Sequence, residues 1–127
     1  MAENNYFYPP KPDLMTKHEE LFYKIASEIP DSSISKMFGA LCIKAPNGKA
    51  GVMFWKEDMI FKLDADREQE ALALKGAKIF TPAENRPMNG WIQVPNTHAA
   101  KWKKYAEISM EYVRQIEVPK KAQKAKR

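Results

Sequence analysis

One cysteine, two histidines and four local carboxylate pairs are the side chains in this sequence that could carry covalent or acid–base chemistry. A thiol nucleophile needs a base within hydrogen-bond reach and a third group that orients the base. Cys42 has only His18 and His98 as candidate bases, and it sits in the apolar run Leu41-Cys42-Ile43. In such a setting a cysteine behaves as a small, inert hydrophobe. One cysteine and two widely separated histidines also lack the clustered spacing that holds zinc. The carboxylates fall as Glu19/Glu20, Glu57/Asp58, Asp64/Asp66 and Glu68/Glu70, and each pair reads as a helix start, a turn or a solvated helix face. Asp64-Ala65-Asp66 is too short for a calcium loop, which spaces several oxygens around a glycine. Lys75-Gly76 and the stretch Asn47-Gly48-Lys49-Ala50-Gly51 lack the glycine pattern and the Ser/Thr of a phosphate loop. The reading is therefore a non-enzyme, with no catalytic residue, no cofactor and no metal ligand assigned.

The aromatic residues offer a second kind of chemistry. Phe54, Trp55, Phe61, Trp91 and Trp102 lie near lysines, a combination that can stack nucleic-acid bases. Their alternation on strands and along a helix stripe is equally what a sheet-on-helix core requires, and core is the reading taken. Trp55, next to a turn, is the one most open to exposure. The formal charge of +5 is concentrated at one end: Lys120, Lys121, Lys124, Lys126 and Arg127 follow Val118, and setting them aside leaves 16 basic against 16 acidic residues. The high pI thus describes a tail. Such a tail can hold phosphates by counterion release, and it also serves as a solvated end that keeps a neutral body in solution.

The elements that would position these groups can be read from periodicity and punctuation. Residues 1–15 form a Pro/aromatic-rich arm, in which Pro9, Pro10 and Pro12 forbid regular hydrogen bonding and Tyr6-Phe7-Tyr8 are apolar enough to pack on the domain or a partner. Thr16-Lys17-His18-Glu19 has capping-box spacing. Leu21, Phe22, Ile25, Ala26 and Ile29 follow at helical spacing, up to Pro30. A β-rich block spans Ile34–Ile43 around Phe38-Gly39. The turn Pro46-Asn47-Gly48 leads to a strand at Val52–Trp55, and Lys56-Glu57-Asp58 turns into another at Met59–Leu63. Short connections make these a three-stranded antiparallel meander. Asp64 starts a short helix that Gly76 ends, and Ile79-Phe80 form a brief strand. A loop from Thr81 to Gly90 leads to a strand at Trp91–Val94, with Trp91 and Gln93 on one face and Ile92 and Val94 on the other. Asn96 or Thr97 caps a last helix, whose stripe is Ala99, Trp102, Tyr105, Ala106, Ser109, Val113 and Ile116. Pro119 opens a disordered basic tail, 119–127.

The fold class expected is α+β: an antiparallel meander sheet packed against N-terminal and C-terminal helices, in one domain over 16–118. A chain of 127 residues can bury one core without staples. A single cysteine permits no intrachain disulfide and suits a reducing compartment. The N-terminus shows no basic-then-apolar leader and the apolar runs are too short to span a bilayer, so the localisation expected is cytoplasmic, with no membrane partner.

Several motifs in this order carry a family resemblance. Lys36-Met37-Phe38-Gly39-Ala40 resembles the Arg-Met-Phe-Gly-Gly signature of the N-terminal domain of the TfoX/Sxy family of bacterial competence regulators. Gly51-Val52-Met53-Phe54, followed by Asp58 to Leu63 with Lys62, is similar to its strand–turn–strand pattern with a lysine. Gly76-Ala77 leads to Phe80 and then to Arg86-Pro87-Met88-Asn89-Gly90-Trp91-Ile92-Gln93-Val94-Pro95, which resembles a segment of small stand-alone members. A final helix with Trp102 and Ala106 completes the pattern, which covers about residues 16–117. Lys36 stands where the family has arginine, which removes the bidentate fork, and Ala40 stands for the second glycine. The arm and tail lie outside the pattern. So does the second, C-terminal domain of the longer regulators. The physical readings beside it are that Gly39 lets a strand bend, that Arg86-Pro87 fixes the approach to the Trp91 strand, and that Lys62 sits at a sheet edge, where its charge discourages strand pairing.

The resemblance implies a regulatory or protein-interaction domain, linked to competence or transcription, with a protein partner or a homo-oligomer. The alternative is weak, non-specific nucleic-acid binding through the basic tail, helped by Lys101, Lys103 and Lys104. A third reading is a small-ligand groove near Lys36, Arg86 and Trp91.

Overall fold

The computed structural model describes residues 15–37, 39–83 and 86–116. The expected arm other than Met15, the motif residue Phe38, and the tail with Lys120, Lys121, Lys124, Lys126 and Arg127 lie outside the described residues. Among the described residues, three α-helices flank one six-stranded antiparallel sheet, an α+β fold. The elements in chain order are α1 (Lys17–Ser27), β1 (Ser33–Met37), β2 (Ala40–Lys44), β3 (Ala50–Trp55), β4 (Asp58–Lys62), α2 (Ala65–Leu72), β5 (Lys78–Ile79), β6 (Trp91–Val94) and α3 (Trp102–Arg114). The strand order is β1-β2-β3-β4-β6-β5.

Helix α1 starts where the sequence places it. The Thr16 hydroxyl accepts from the Glu19 backbone N–H at 3.1 Å, the Thr16 half of the expected capping box. Phe22, Ile25 and Ala26 form its buried stripe. The helix ends at Ser27, before Pro30. Asp31 takes a left-handed φ of 60°, and the Ser32 hydroxyl donates to the Ile29 carbonyl at 2.8 Å and reaches the Ala26 carbonyl of the helix at 3.3 Å. One of α1's last carbonyls thus finds a partner without a glycine cap.

The block expected as one strand across Phe38-Gly39 is two. Met37 pairs with Ala40, so the chain reverses between them, with Gly39 at φ 79°. The meander therefore has four strands, β1 to β4. A two-residue loop makes its flanking pair a hydrogen-bonded one. Ser33, Ser35 and Met37 thus bond inward to β2, while the backbone groups of Ile34 and Lys36 point away from the sheet. The β3–β4 loop is also two residues, Lys56-Glu57, with φ of 48° and 71°. Neither residue is glycine or asparagine, so this turn is held in a backbone region that side chains disfavour.

Side chains divide cleanly between the two sheet faces. Ile43, Val52, Met59, Phe61, Ile92 and Val94 face α1 and α3 in the main core. Cys42, Met53, Ile60 and Trp91 alternate with them and form a second cluster on the other face with Phe80. The expected alternation at Trp91–Val94 matches this division. Phe80, Phe61 and Trp102 are buried, and Trp55 is half-buried with its ring edge-on to Phe80 at 5.6 Å. The aromatic residues are therefore largely core.

The last helix begins differently from expectation. Asn96–Lys101 form a 3-10 segment broken at His98, and no side chain caps either it or α3. Thr97 and Asn96 are not caps, because Asn96 spends its side chain on the β3–β4 turn (below). The stripe of α3 is Trp102, Tyr105, Ala106, Ser109 and Val113 as expected, with Met110 added. The fully buried Trp102 indole N–H donates to the Val94 carbonyl at 3.2 Å. Helix α3 lies so close to β3 that a Cβ on Gly51 would meet Met110 Sδ at 2.8 Å, Val113 Cγ2 at 3.1 Å and the Ser109 carbonyl at 3.2 Å. At the far end, the Asn47 side chain donates to the Val113 and Ile116 carbonyls, each at 3.0 Å, while its oxygen accepts from Lys49 N–H. A hairpin side chain thus satisfies the C-terminal carbonyls of a helix.

Two substitutions separate these effects. Gly51→Ala forces α3 off β3 and should lower the unfolding free energy by about 1–3 kcal/mol in urea titration. Ser109→Ala removes a fully buried hydroxyl with no hydrogen-bond partner among the described residues, and should be neutral or stabilising by about 1 kcal/mol.

Candidate functional site

Of the motif residues, the structure gathers three. Lys62 and Trp91 are directly opposite on β4 and β6. The Lys62 ammonium lies 5.7 Å from the Trp91 ring centroid, a cation–π contact. Gly90, at φ 90°, leaves room beside it: a Cβ there would sit 3.0 Å from Lys62 Nζ. The Gly90 carbonyl also accepts from Leu63 N–H at 3.0 Å, which extends the ladder past the strand end. Lys62 is therefore not at a sheet edge as expected. Strand β4 is interior, between β3 and β6, and the lysine lies along the second face with its stem beside the glycine.

Lys36 is elsewhere. Strand β1 is four strand spacings from β6, about 19 Å, and Lys36 alternates with Met37 so that it lies on the opposite face from Trp91. The expected groove of Lys36, Arg86 and Trp91 is not assembled. Arg86 is exposed in a tight turn, its N–H donating to the Ala83 carbonyl at 2.9 Å. Pro87 follows it, and Met88 N–H donates to the Phe80 carbonyl at 2.8 Å. The role of the Arg86-Pro87 segment is visible in that pair: it turns the chain so that Phe80 and Met88 come down on the second face.

Sequence reasoning missed the most connected polar cluster. It centres on Asp58, the first residue of β4. One Asp58 carboxylate oxygen accepts from Gln93 Nε2 at 2.8 Å, and the other accepts from Asn96 N–H at 3.0 Å and Asn96 Nδ2 at 3.2 Å. Asn96 Nδ2 also donates to the Glu57 carbonyl at 3.1 Å. The Glu57 carboxylate in turn meets His18 Nδ1 at 3.3 Å, and the His18 ring stands edge-on to Trp102 at 5.8 Å. The cluster joins the start of α1, the strained β3–β4 turn and the exit of β6. A histidine oriented by a carboxylate is half of an acid–base device, but the third member that His18 would activate is not among its described contacts. Glu57/Asp58 read only as a turn because their partners are distant in sequence. The one local signal was a two-residue loop without Asn or Gly, which implies outside support.

The thiol is closed off. Cys42 is fully buried, and burial raises its pKa above the ordinary thiol value. At the other side of the molecule, Asp64, Arg67, Lys104, Glu107, Glu111 and Tyr112 help line an open groove of about 440 Å³ between α2 and α3. Its two cations are paired: Glu70 bridges to Arg67 at 3.0 Å and to Lys104 at 3.6 Å, and the hydrogen bond from Arg67 holds the Glu70 carboxyl below the usual range. Glu28 is lowered in the same way by Lys24 and Lys103. Both carboxylates contribute to stability above their ordinary pKa values, and that contribution is lost as pH falls through the lowered ones. Among the described residues no three metal-binding side chains come together, and no helix is long and apolar enough to cross a membrane.

No protein-family model, curated protein or solved structure matches this chain.

The Asp58 cluster has a direct test. Asp58→Ala strands three donors and should cost about 2–3 kcal/mol in urea unfolding. Asp58→Asn should cost less than half of that, because the Gln93 amide can rotate and accept from the new Nδ2.

Proposed function

We propose that this chain is a non-enzymatic regulatory domain that works by binding protein, as its resemblance to the TfoX/Sxy N-terminal domain implies. The observation that supports this most directly is the edge of the sheet at β1. Among the described residues, the five-residue strand β1 pairs only with β2, whereas the opposite edge strand, β5, has only two residues. The outward backbone groups of Ile34 and Lys36 form a short ladder, flanked by Ser33 and Ser35, that a strand from another chain can extend. Lys36 is the one charge on β1, the kind of residue that limits unspecific edge pairing while leaving the ladder usable. Side chains with chemical potential are engaged in the fold: Cys42 in packing, His18 with Glu57, and Lys62 over Trp91.

The Lys36→Pro substitution tests this reading, since it removes an outward N–H and leaves the bonds to β2 in place. The full chain should self-associate in sedimentation velocity, or retain a specific partner in co-purification, and Lys36→Pro should lose either interaction while keeping the wild-type melting temperature within a few degrees. A monomer with a partner set unchanged by Lys36→Pro overturns it.

A second reading follows from the charge distribution, five cations after Val118 on a formally neutral body. Weak nucleic-acid binding by that segment should weaken steeply between about 50 and 200 mM salt. Fluorescence titration of labelled duplex DNA, with the full chain and a chain ending at Val118, checks it. Equal affinity of the two chains excludes the tail.

A further inference from the structure

The β1 edge of the described sheet carries one lysine on each face, and their placement restricts the kind of strand it can take. Side chains alternate along a strand. Ile34 packs against the main core, so the exposed Lys36 lies on that same face. Lys44 of β2 is directly opposite Ser33. It lies on the second face, one step on from Ile43 and in register with Ala50, which packs on the second cluster. Ser33 is small and exposed, so the Lys44 stem can extend across it toward the edge. A strand added beyond β1 stands about 10 Å from β2, a span that a lysine and a glutamate side chain cover together. Among the described residues, neither Lys36 nor Lys44 forms an ion pair.

An incoming strand therefore meets a cation at Lys36 on the first face and another over Ser33 on the second, at positions three residues apart. An odd spacing is the one that puts two side chains of an extended strand on opposite faces. Between them, the residue opposite Ile34 falls on the core face beside a half-buried isoleucine. An apolar side chain there extends the main core. A second copy of this chain does not meet these demands. Two β1 strands paired antiparallel about Ser35 use all five residues of each and the outward groups of Ile34 and Lys36. That register sets Ile34 of one copy against Lys36 of the other, and Met37 against Ser33, so β1 offers no carboxylate to either lysine.

On the reading of β1 as a protein-binding edge, we propose that its partner is an extended acidic segment of another protein, added antiparallel, with carboxylates three residues apart in the order acidic, any, apolar, acidic. The first carboxylate meets Lys36, the apolar residue meets Ile34, and the second carboxylate reaches Lys44 across Ser33. Antiparallel addition continues the pattern of the sheet and is the slightly more stable pairing per residue.

Titration of the isotope-labelled full-length protein with synthetic peptides, read from backbone amide shifts, decides it. The probe peptide places Glu-Thr-Val-Glu in an uncharged frame rich in threonine and valine. The control has the same composition but carries Glu-Thr-Glu-Val, which puts both carboxylates on one face. The probe should move the Ile34 and Lys36 amide signals and bind at least about fivefold more tightly than the control. Lys36→Gln and Lys44→Gln should each weaken the probe about two- to fivefold without moving the melting temperature. Equal affinity of probe and control, or of the unaltered chain and both glutamine variants, overturns the acidic partner. If Lys36→Pro still abolishes peptide binding in that case, the edge reading stands on its own. Absence of peptide binding at millimolar concentration also overturns the proposal, and self-association that Lys36→Pro abolishes then identifies a second copy as the occupant.

Discussion

A sheet that is apolar on both faces must be covered on both, and the rest of this structure follows from how a short chain meets that requirement. Ile43, Val52, Phe61 and Ile92 on one side and Cys42, Met53 and Ile60 on the other leave neither face fit for water. Two helices, α1 and α3, serve the first face. Only the connection between β5 and β6 is described over the second, and that connection consists of two short hydrogen-bonded turns that drop Phe80 and Met88 onto the sheet. The cost of the arrangement falls on special backbone. Gly90 supplies a φ of 90° beside Lys62 and Trp91, and Gly51 is needed so that α3 can sit on β3 without a side chain between them. Backbone conformation calls for glycine at the first position, and close approach calls for it at the second.

Helix α3 is the element on which both polar clusters converge. At its entry, Asp58 and Asn96 join the β3–β4 turn to the exit of β6, and Trp102 anchors to the Val94 carbonyl. At its exit, Asn47 from the β2–β3 turn takes up two of its last carbonyls. Along its length, Lys103 bridges to Glu28 and Arg114 donates to the Pro30 carbonyl, so α1 is tied to it at both places. The surface pairs add little individually. The buried and half-buried amide and carboxylate bonds matter more, because each one satisfies a group that would otherwise be desolvated without a partner. Turn residues thus fix the helix, while Asn96 just before it and His18 of α1 support the Lys56-Glu57 turn that its own residues disfavour.

The sequence was legible wherever the signal was local. The expected stop at Gly76 fails, because α2 ends at Leu72 with Ala73 as its cap, but the Thr16 cap, the stripe Phe22-Ile25-Ala26 and the alternation of Trp91 to Val94 each depend on neighbours within a few residues. So does the α+β class, which follows from the order of these elements. The failures were of two sorts. Phe38-Gly39 read as the middle of one strand because the apolar pattern continues on both sides of it. Only pairing reveals that Met37 faces Ala40, and this split raises the meander from three strands to four. Asp58, Asn47 and Asn96 were missed as organising residues because their partners lie 35 to 69 positions away. A side chain's type states how many hydrogen bonds it can make, but not with what. The placement of Lys62 failed for the same reason, since a strand's rank in a sheet is a property of the whole topology.

The residues that carry the family resemblance have architectural duties in this structure, and that bears on what the resemblance can transmit. Gly39 turns a hairpin, Gly51 admits a helix, Gly90 and Trp91 seat Lys62, and Arg86-Pro87 sets up the turns that cover the second face. Positions of this kind specify how the chain folds and leave other positions free for binding: the outward ladder and exposed side chain of β1, and the α2–α3 groove. Lys36 sits in both sets. By sequence it belongs to the segment that resembles the Arg-Met-Phe-Gly-Gly signature, standing where that signature has an arginine, and by structure it belongs to the edge strand of the described sheet. An ammonium there supplies charge and a flexible stem but no planar fork. A partner strand added to β1 would meet it as a point charge, which selects for an acidic neighbour without fixing its orientation.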